Sequence, residues 1–465
     1  MKASETVTEM RELQQLAEFV TTTTADGLPQ AVVQRAQEVA RDTVGVIIGG
    51  MDEPDVAALA NHAVRIAPGP AALLGHRGRT TASWAALVHG TAGTSLEMDE
   101  GHAFARGHAA VHALPPALAL AQARNASGAE AIAAFVVGYE VAARAGVATR
   151  LRSPVHPFGA WGVLGAAATA AWFRGFDTDA VAGTLELAAS YAIAPSFDAA
   201  FQGASVRNTY AGVVNRLGLL AADFYELGFR GERGGLETTF GRILGESFEA
   251  GALSEGLGRR YEIMRGYFKP YSACRYTHAA VDAVLALRED GVQPQMVRRI
   301  EVETYDLATR LADPRPRTPL AGRFSLPYVV AATLLRGDAG PRTFRPEMLH
   351  DPAVLDLASR VSVREDPAFT AITPERRPAR VRLHLADGSH RERTVTGSKG
   401  DPDRPMQPAE LESKFLDLTQ PVLGARAAAA AWEELGRLSQ LPHLDQLTNL
   451  LAPDDSSQKE VRDDP

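Results

Sequence analysis

The texture of the chain changes twice, and those two changes limit what it can fold into. From about Pro29 to Arg265 alanine and leucine dominate and β-branched runs are few, which is helical writing. After about Lys269, segments such as RRIEVETYDLA and ARVRLHLADGSHRERTVTG alternate apolar and polar residues, as half-buried strands do. From about Pro408 the helical texture returns. The order predicts a mainly α protein: a large all-helical domain begun by residues 1–268, a smaller inserted α/β lid domain over 269–400, and C-terminal helices over 401–453 that pack back on the helical domain. The first dozen residues and the tail 454–465 are polar and read as frayed or disordered.

Local signals place several elements. PQAVVQRAQEVARDTVGVIIGG reads as an amphipathic helix stopped by Gly49–Gly50. Ser127 and Glu130 form a capping-box pattern, and Asp177 offers a cap to AVAGTLELAAS. Gly162, Gly165, Ala166 and Ala170 recur at helical spacing, so a second helix can approach closely and this one is expected at the centre. Pro115–Pro116 marks a helix start, and Asp387–Gly388 a hairpin turn.

Bulk properties exclude several functions. With 45% apolar and 22% charged residues the chain reads as globular. A formal charge of −8 supplies no basic excess for phosphates, so nucleic acid is not an expected partner. Cys274 is the only cysteine, which rules out an internal disulfide and a cysteine-bound iron–sulfur cluster. MKASETVTEM lacks the apolar run of a signal peptide, and the alanine-rich stretches are broken short of about 18 residues, so no membrane association and a cytoplasmic location are expected.

Three histidines stand out: His108 in DEGHAFARGHAAVHALPP, His156 in RSPVHPFGAWG and His278 in KPYSACRYTHAAVDAV. Each lies just before or in the first turn of a predicted helix, whose partial positive charge favours anions and a neutral imidazole. They are candidates to converge on a polycarboxylate; the alternative is three capping or core histidines. Glu97, Asp99 and Glu100 precede His102 and His108, a pairing suited to general-base work, to a metal site or to a solvated acidic loop. Arg207, Lys269, Arg275 and Arg323 are candidate carboxylate binders, or ordinary surface charges. Cys274 has no dyad partner by spacing and reads as a small buried residue.

At these residues the sequence resembles the MmgE/PrpD superfamily, which includes 2-methylcitrate dehydratase, cis-aconitate decarboxylase and iminodisuccinate epimerase. RDTVGVIIGG, SLEMDEGHAFARGHAAVHALPPALALAQ, HPFGAWGVLGAAATAAWFRGFD, KPYSACRYTHAAVDA and GDPDRPMQPAELESKFLDL follow its blocks in order from about Val33 to Leu451. The resemblance implies a homodimer with an active site between helical domain and lid, without metal or cofactor. It places the family's acidic position on Glu97 with Asp99 two residues on, its histidines on His108, His156 and His278, and its lysine before the central helix on Arg207. Lys269, Arg275 and Tyr276 stand near the lid histidine, and Arg323 and Tyr328 match a block that closes over the site. Glutamate for aspartate at 97, Gly101 for the motif's threonine and Arg207 for lysine depart from the pattern and mark a divergent subgroup.

The implied chemistry removes a proton beside a carboxylate, with Glu97, Asp99, His108, His156 and His278 as acids and bases and the cationic residues holding a small di- or tricarboxylate. Dehydration ranks first, with decarboxylation or epimerisation as alternatives on the same scaffold. A catalytically inactive helical dimer that binds a carboxylate is the reading of a different class.

Overall fold

The structure, a computed structural model, describes residues 3–453, so the tail expected to be disordered lies outside the described residues. Helices α1 (Ala3–Thr22), α2 (Gln30–Gly50), α3 (Pro54–Ile66), α4 (Ala82–Ser95), α5 (Ala110–Arg124), α6 (Gly128–Ala148), α7 (Gly162–Arg174), α8 (Thr178–Ala189) and α9 (Val206–Glu226) build one apolar core. The expected fraying of the first dozen residues is corrected: α1 starts at Ala3. Leu13, Leu16 and Val20 are buried, and the Glu9 carboxylate accepts the N–H groups of Leu236 at 3.1 Å and Glu237 at 3.2 Å. A polar residue there serves a distant backbone, not solvent.

The local signals are met at α6, where Ser127 and Glu130 exchange both capping-box bonds, and at α8, where Asp177 accepts the Ala180 N–H at 2.8 Å. Helix α7 is buried from Gly162 to Ala171. A Cβ on Gly165 would stand 2.8 Å from the Gly138 carbonyl oxygen, and one on Gly138 would stand 2.9 Å from that of Gly165. Only glycine lets α6 and α7 approach this closely. Helix α6 is long and apolar enough to cross a membrane, yet it is enclosed in the core between α5 and α7.

The helix start expected at Pro115–Pro116 is corrected too, because α5 begins at Ala110 and holds both prolines inside. Pro115 has no N–H for the carbonyl of Val111, four residues back. Asn215 of α9 supplies the missing donor, its Nδ2 lying 2.8 Å from that oxygen. Its Oδ1 is then the acceptor for His112 Nδ1 at 3.0 Å. One amide therefore repairs α5 and fastens it to α9.

A second core is built from residues from Tyr271 onward together with Ala200, with α10 (His278–Glu289) and α11 (Leu326–Arg336) over a four-stranded sheet. The strands β1 (Val297–Thr304), β2 (Val361–Glu365), β3 (Ala379–Leu385) and β4 (His390–Val395) lie in the order β4-β3-β1-β2. Only the β1–β2 pair is parallel, with Ile300 opposite Val361. Ala379, Val381, Leu383 and Leu385 of β3 face the helices, while Arg380 and Arg382 on its other face meet Glu303 and Glu392. The Asp387–Gly388 turn closes β3 and β4, with Gly388 at φ 87°.

Helices α12 (Pro408–Leu423) and α13 (Ala425–Gly436) return to the first core, where Phe415, Trp432 and Leu435 are buried. Lys414 of α12 reaches under the acidic loop, donating to Asp42 at 2.5 Å and to the Met98 carbonyl at 2.8 Å. The protein is thus mainly α, with its β structure concentrated in the second core.

Candidate active site

A cavity of about 40 Å³ lies where the two cores meet. The helical side supplies Glu97, His108, His156 and Arg207; the α/β side supplies Cys274, Arg275 and Tyr276. Phe197 and Phe324 close one wall, and Tyr267, Arg106 and Arg377 complete the rest. That volume holds about three waters, less than a small polycarboxylate occupies.

Glu97 follows the end of α4 in the left-handed region, at φ 54°, which turns the chain out of the helix and the carboxylate inward. It is 3% exposed and accepts from Arg207 Nη2 and from Lys269 Nζ, the latter at 2.9 Å. Burial alone would raise its pKa, but the Arg207 and Lys269 cations overrule burial and hold it well below the usual carboxylate range. Glu97 is therefore an ionised counter-ion. Arg207 also donates to the Thr94 carbonyl at 2.8 Å and lies over the rings of Phe158 at 4.7 Å and Phe324 at 5.2 Å. Its Nε is buried without a partner, so one N–H remains for a ligand.

His108 precedes α5 with its Nδ1 2.7 Å from the Glu100 carbonyl and 3.0 Å from Asp99 Oδ2. The accepting Glu100 carbonyl makes Nδ1 the protonated nitrogen and leaves Nε2 to exchange a proton. Asp99 is wholly buried, and neither of its oxygens has a well-aligned hydrogen bond. His156 caps the 3₁₀ turn Pro157–Gly159, its Nδ1 accepting the Phe158 N–H at 3.2 Å. An accepting Nδ1 puts the ring proton on Nε2. Burial pushes its pKa well below 6.5, and the Arg207 cation adds to that, so it is a neutral donor. The ring stacks on Phe197 with centroids 4.7 Å apart.

The remaining sequence candidates are placed differently. His278 is fully buried one layer behind the cavity, its Nδ1 accepting from Arg275 Nη1 and its Nε2 donating to the Ala273 carbonyl, both at 3.0 Å. With both nitrogens engaged, it orients Arg275. Arg275 faces the cavity, pairs with Asp401 at 2.5 Å and lies over the Tyr267 ring at 4.5 Å. Tyr276 lines the cavity. Lys269 stands behind Glu97, and Arg323 is turned toward Ser272 and Glu53 at 3.3 and 3.4 Å. Tyr328 donates to the Thr343 or Met348 carbonyl inside the second core. Of the acidic cluster, Glu100 accepts from Tyr139 at 2.6 Å in the interior, and burial lifts its pKa to about 7. His102 lies 3.1 Å from Glu262. Burial pushes the Cys274 thiol up to about 12, so it is an uncharged wall residue.

Sequence reasoning did not reach Arg106, Arg377 and Tyr267. Tyr267 had one signal, the Gly101 departure: the two-residue strands Gly101–His102 and Gly266–Tyr267 pair, and a Cβ on Gly101 would stand 2.5 Å from the Tyr267 hydroxyl. Arg106 and Arg377 had none, being one arginine among several in their segments.

Among the described residues, no group of three or more histidine, cysteine or acidic side chains is arranged to hold a metal ion. The chain matches the MmgE/PrpD N-terminal domain over residues 14–246 and the MmgE/PrpD C-terminal domain over residues 271–438. It is similar to a cis-aconitate decarboxylase of Aspergillus terreus, 24% identical over 84% of this chain and 90% of the relative. Those of Mus musculus and Homo sapiens are each 26% identical over 80% of this chain, covering 79% and 80% of the relative respectively. With both family domains matched in order, and a polar cavity enclosed between the two regions they cover, the chain belongs to the MmgE/PrpD family.

Proposed function

We propose that this chain is a lyase that acts on a small di- or tricarboxylate without metal or cofactor, through an enolate-like carbanion held where the two cores meet. The supporting observation is the pair of imidazoles on one cavity with opposite roles. His108 keeps Nε2 for proton exchange, while His156 is a fixed neutral Nε2–H donor. A proton-transfer group facing a preorganised donor is what carbanion chemistry beside a carboxylate requires.

The names of the relatives put decarboxylation ahead of the dehydration favoured by sequence resemblance. In that sense the bond to one carboxylate breaks, CO2 leaves, and the electron pair stays on carbon, delocalised toward a neighbouring carboxylate. His156 and the free N–H of Arg207 stabilise that charge, and doubly protonated His108 delivers its Nε2 proton to carbon before solvent reprotonates it. In the dehydrating sense His108 removes a proton beside a carboxylate, and that proton passes from His108 to the departing hydroxide, which leaves as water. His278 acts through Arg275, and Glu97 through Arg207 and Lys269.

The experiment is a panel of cis-aconitate, 2-methylcitrate and iminodisuccinate with chelator present, read by NMR and CO2 release. CO2 from cis-aconitate, lost in folded His108→Ala, is the expected result. Full activity in that variant sinks the mechanism, and binding of panel compounds without turnover of any sinks the enzyme in favour of an inactive carboxylate binder.

A further inference from the structure

The four buried arginines among the described residues each meet a carboxylate. Arg207 has Glu97, Arg275 has Asp401, Arg323 has Glu53 and Arg144 has Glu140. Even in the broad open groove over the second core, Arg376 pairs with Asp403, Arg393 with Asp290 and Arg404 with Asp282. Of the four arginines that line the cavity, Arg106 and Arg377 differ from Arg207 and Arg275 in that neither has a carboxylate within ion-pair distance among the described residues. Arg377 is half-buried, donating to the Ala103 carbonyl at 3.3 Å and to the Tyr267 side chain, with the rings of Tyr267 and Tyr276 at 5.6 and 5.8 Å. A guanidinium taken partly out of water without a counter-ion is unfavourable unless an anion comes to it.

The two cations also stand on opposite sides of the seam. Arg106 belongs to the 102–108 loop that carries His108, at φ 54°. Arg377 immediately precedes β3 of the second core, and its bond to Ala103 brings it against that same loop. We propose that Arg106 and Arg377 form a second anion subsite that grips a carboxylate remote from the reacting carbon, and so restricts this enzyme to substrates with at least two carboxylates. This rests on the lyase reading above and adds to it the residues that select its di- or tricarboxylate. A carboxylate bound there bridges the two cores.

The test is isothermal titration calorimetry on the full chain, wild type against Arg377→Gln and Arg106→Gln. Arg106 is exposed, so its variant does not put folding at stake. The probes are tricarballylate, which has neither the double bond nor the hydroxyl needed for turnover, butyrate as a single carboxylate, and inorganic phosphate. Loss of a charge-assisted pair is expected to weaken tricarballylate by ~10-fold or more in each variant and to leave butyrate unchanged. Unchanged tricarballylate binding in both variants overturns the subsite while leaving the lyase reading intact. Equal loss for butyrate shows a merely structural role and also overturns it. Phosphate binding as tight as tricarballylate, with the same loss, overturns the carboxylate assignment. If wild type binds neither carboxylate, the lyase reading falls and the subsite falls with it.

Discussion

His156 offers a separation of roles that a single residue rarely permits. Its Nδ1 works for the fold, accepting the Phe158 N–H at 3.2 Å, and its Nε2–H is left for the cavity. Asparagine places an amide group near the Nδ1 position and glutamine near Nε2. His156→Asn is therefore expected to keep the cap and lose the donor, and His156→Gln to do the reverse. A lost cap is worth about 1 kcal/mol; a lost donor to developing negative charge is worth roughly 10²–10³ in rate, about 3–4 kcal/mol. The expected pattern is a crossing: His156→Asn melts near wild type and releases CO2 from cis-aconitate roughly 10²–10³ times more slowly. His156→Gln melts lower and stays the more active of the two. His156→Ala loses both. Because burial keeps the ring neutral well below pH 6.5, the acid limb of kcat/KM belongs to another group and stays in place in His156→Gln. Stability moves the other way: below about pH 6.5 the unfolded ring takes a proton that the folded ring refuses, so His156 destabilises the fold as pH falls, and His156→Gln removes that slope. Equal activity in the Asn and Gln variants, or a shifted acid limb, would refute the tautomer on which the mechanism depends.

Glu97→Gln leaves Arg207 and Lys269 buried without their counter-ion, and a loss of about 3–5 kcal/mol is expected in chemical denaturation; an unchanged midpoint contradicts the triad. Glu100, lifted by burial from 4.5 to about 7, binds a proton more readily folded than unfolded, so its stabilising contribution is lost as pH rises between those values. Glu100→Gln should therefore gain roughly 3 kcal/mol on wild type between pH 4.5 and 8, and parallel stability curves would exclude this. Millimolar EDTA is expected to leave CO2 release from cis-aconitate unchanged, and loss of the rate with recovery on adding a divalent ion would reinstate a metal.

Much of the fold was legible because its signals are local. A capping box, an Asp-Gly turn and a row of small residues each carry their meaning within about one turn of chain, and α6, the β3–β4 hairpin and α7 follow from them. Where a residue's partner is remote the signal fails. Polar α1 looked frayed because the N–H groups served by Glu9 come 227 and 228 residues later. The site divides in the same way. His108 and His156, which both line the cavity, could be singled out because each sits at a helix or turn start, which is local chemistry. That Arg207 answers Glu97 across 110 residues, or that Arg377 meets Ala103 across 274, is decided by packing alone. His278 shows the converse, since a histidine at a predicted helix start turns its ring to Arg275 and the Ala273 carbonyl instead.

The amide at Asn215 has a further consequence for anyone mapping this enzyme by mutation. It touches no cavity wall, yet it rivets the segment behind His108 to the helix that begins beside Arg207. Exchange for leucine or aspartate would let those two strike slightly different positions, and misplacement of about 1 Å can lower a rate by roughly 100-fold. A screen scored only on turnover would rank position 215 with the proton-transfer groups, whereas a screen scored on ligand affinity for a single carboxylate would pass over it.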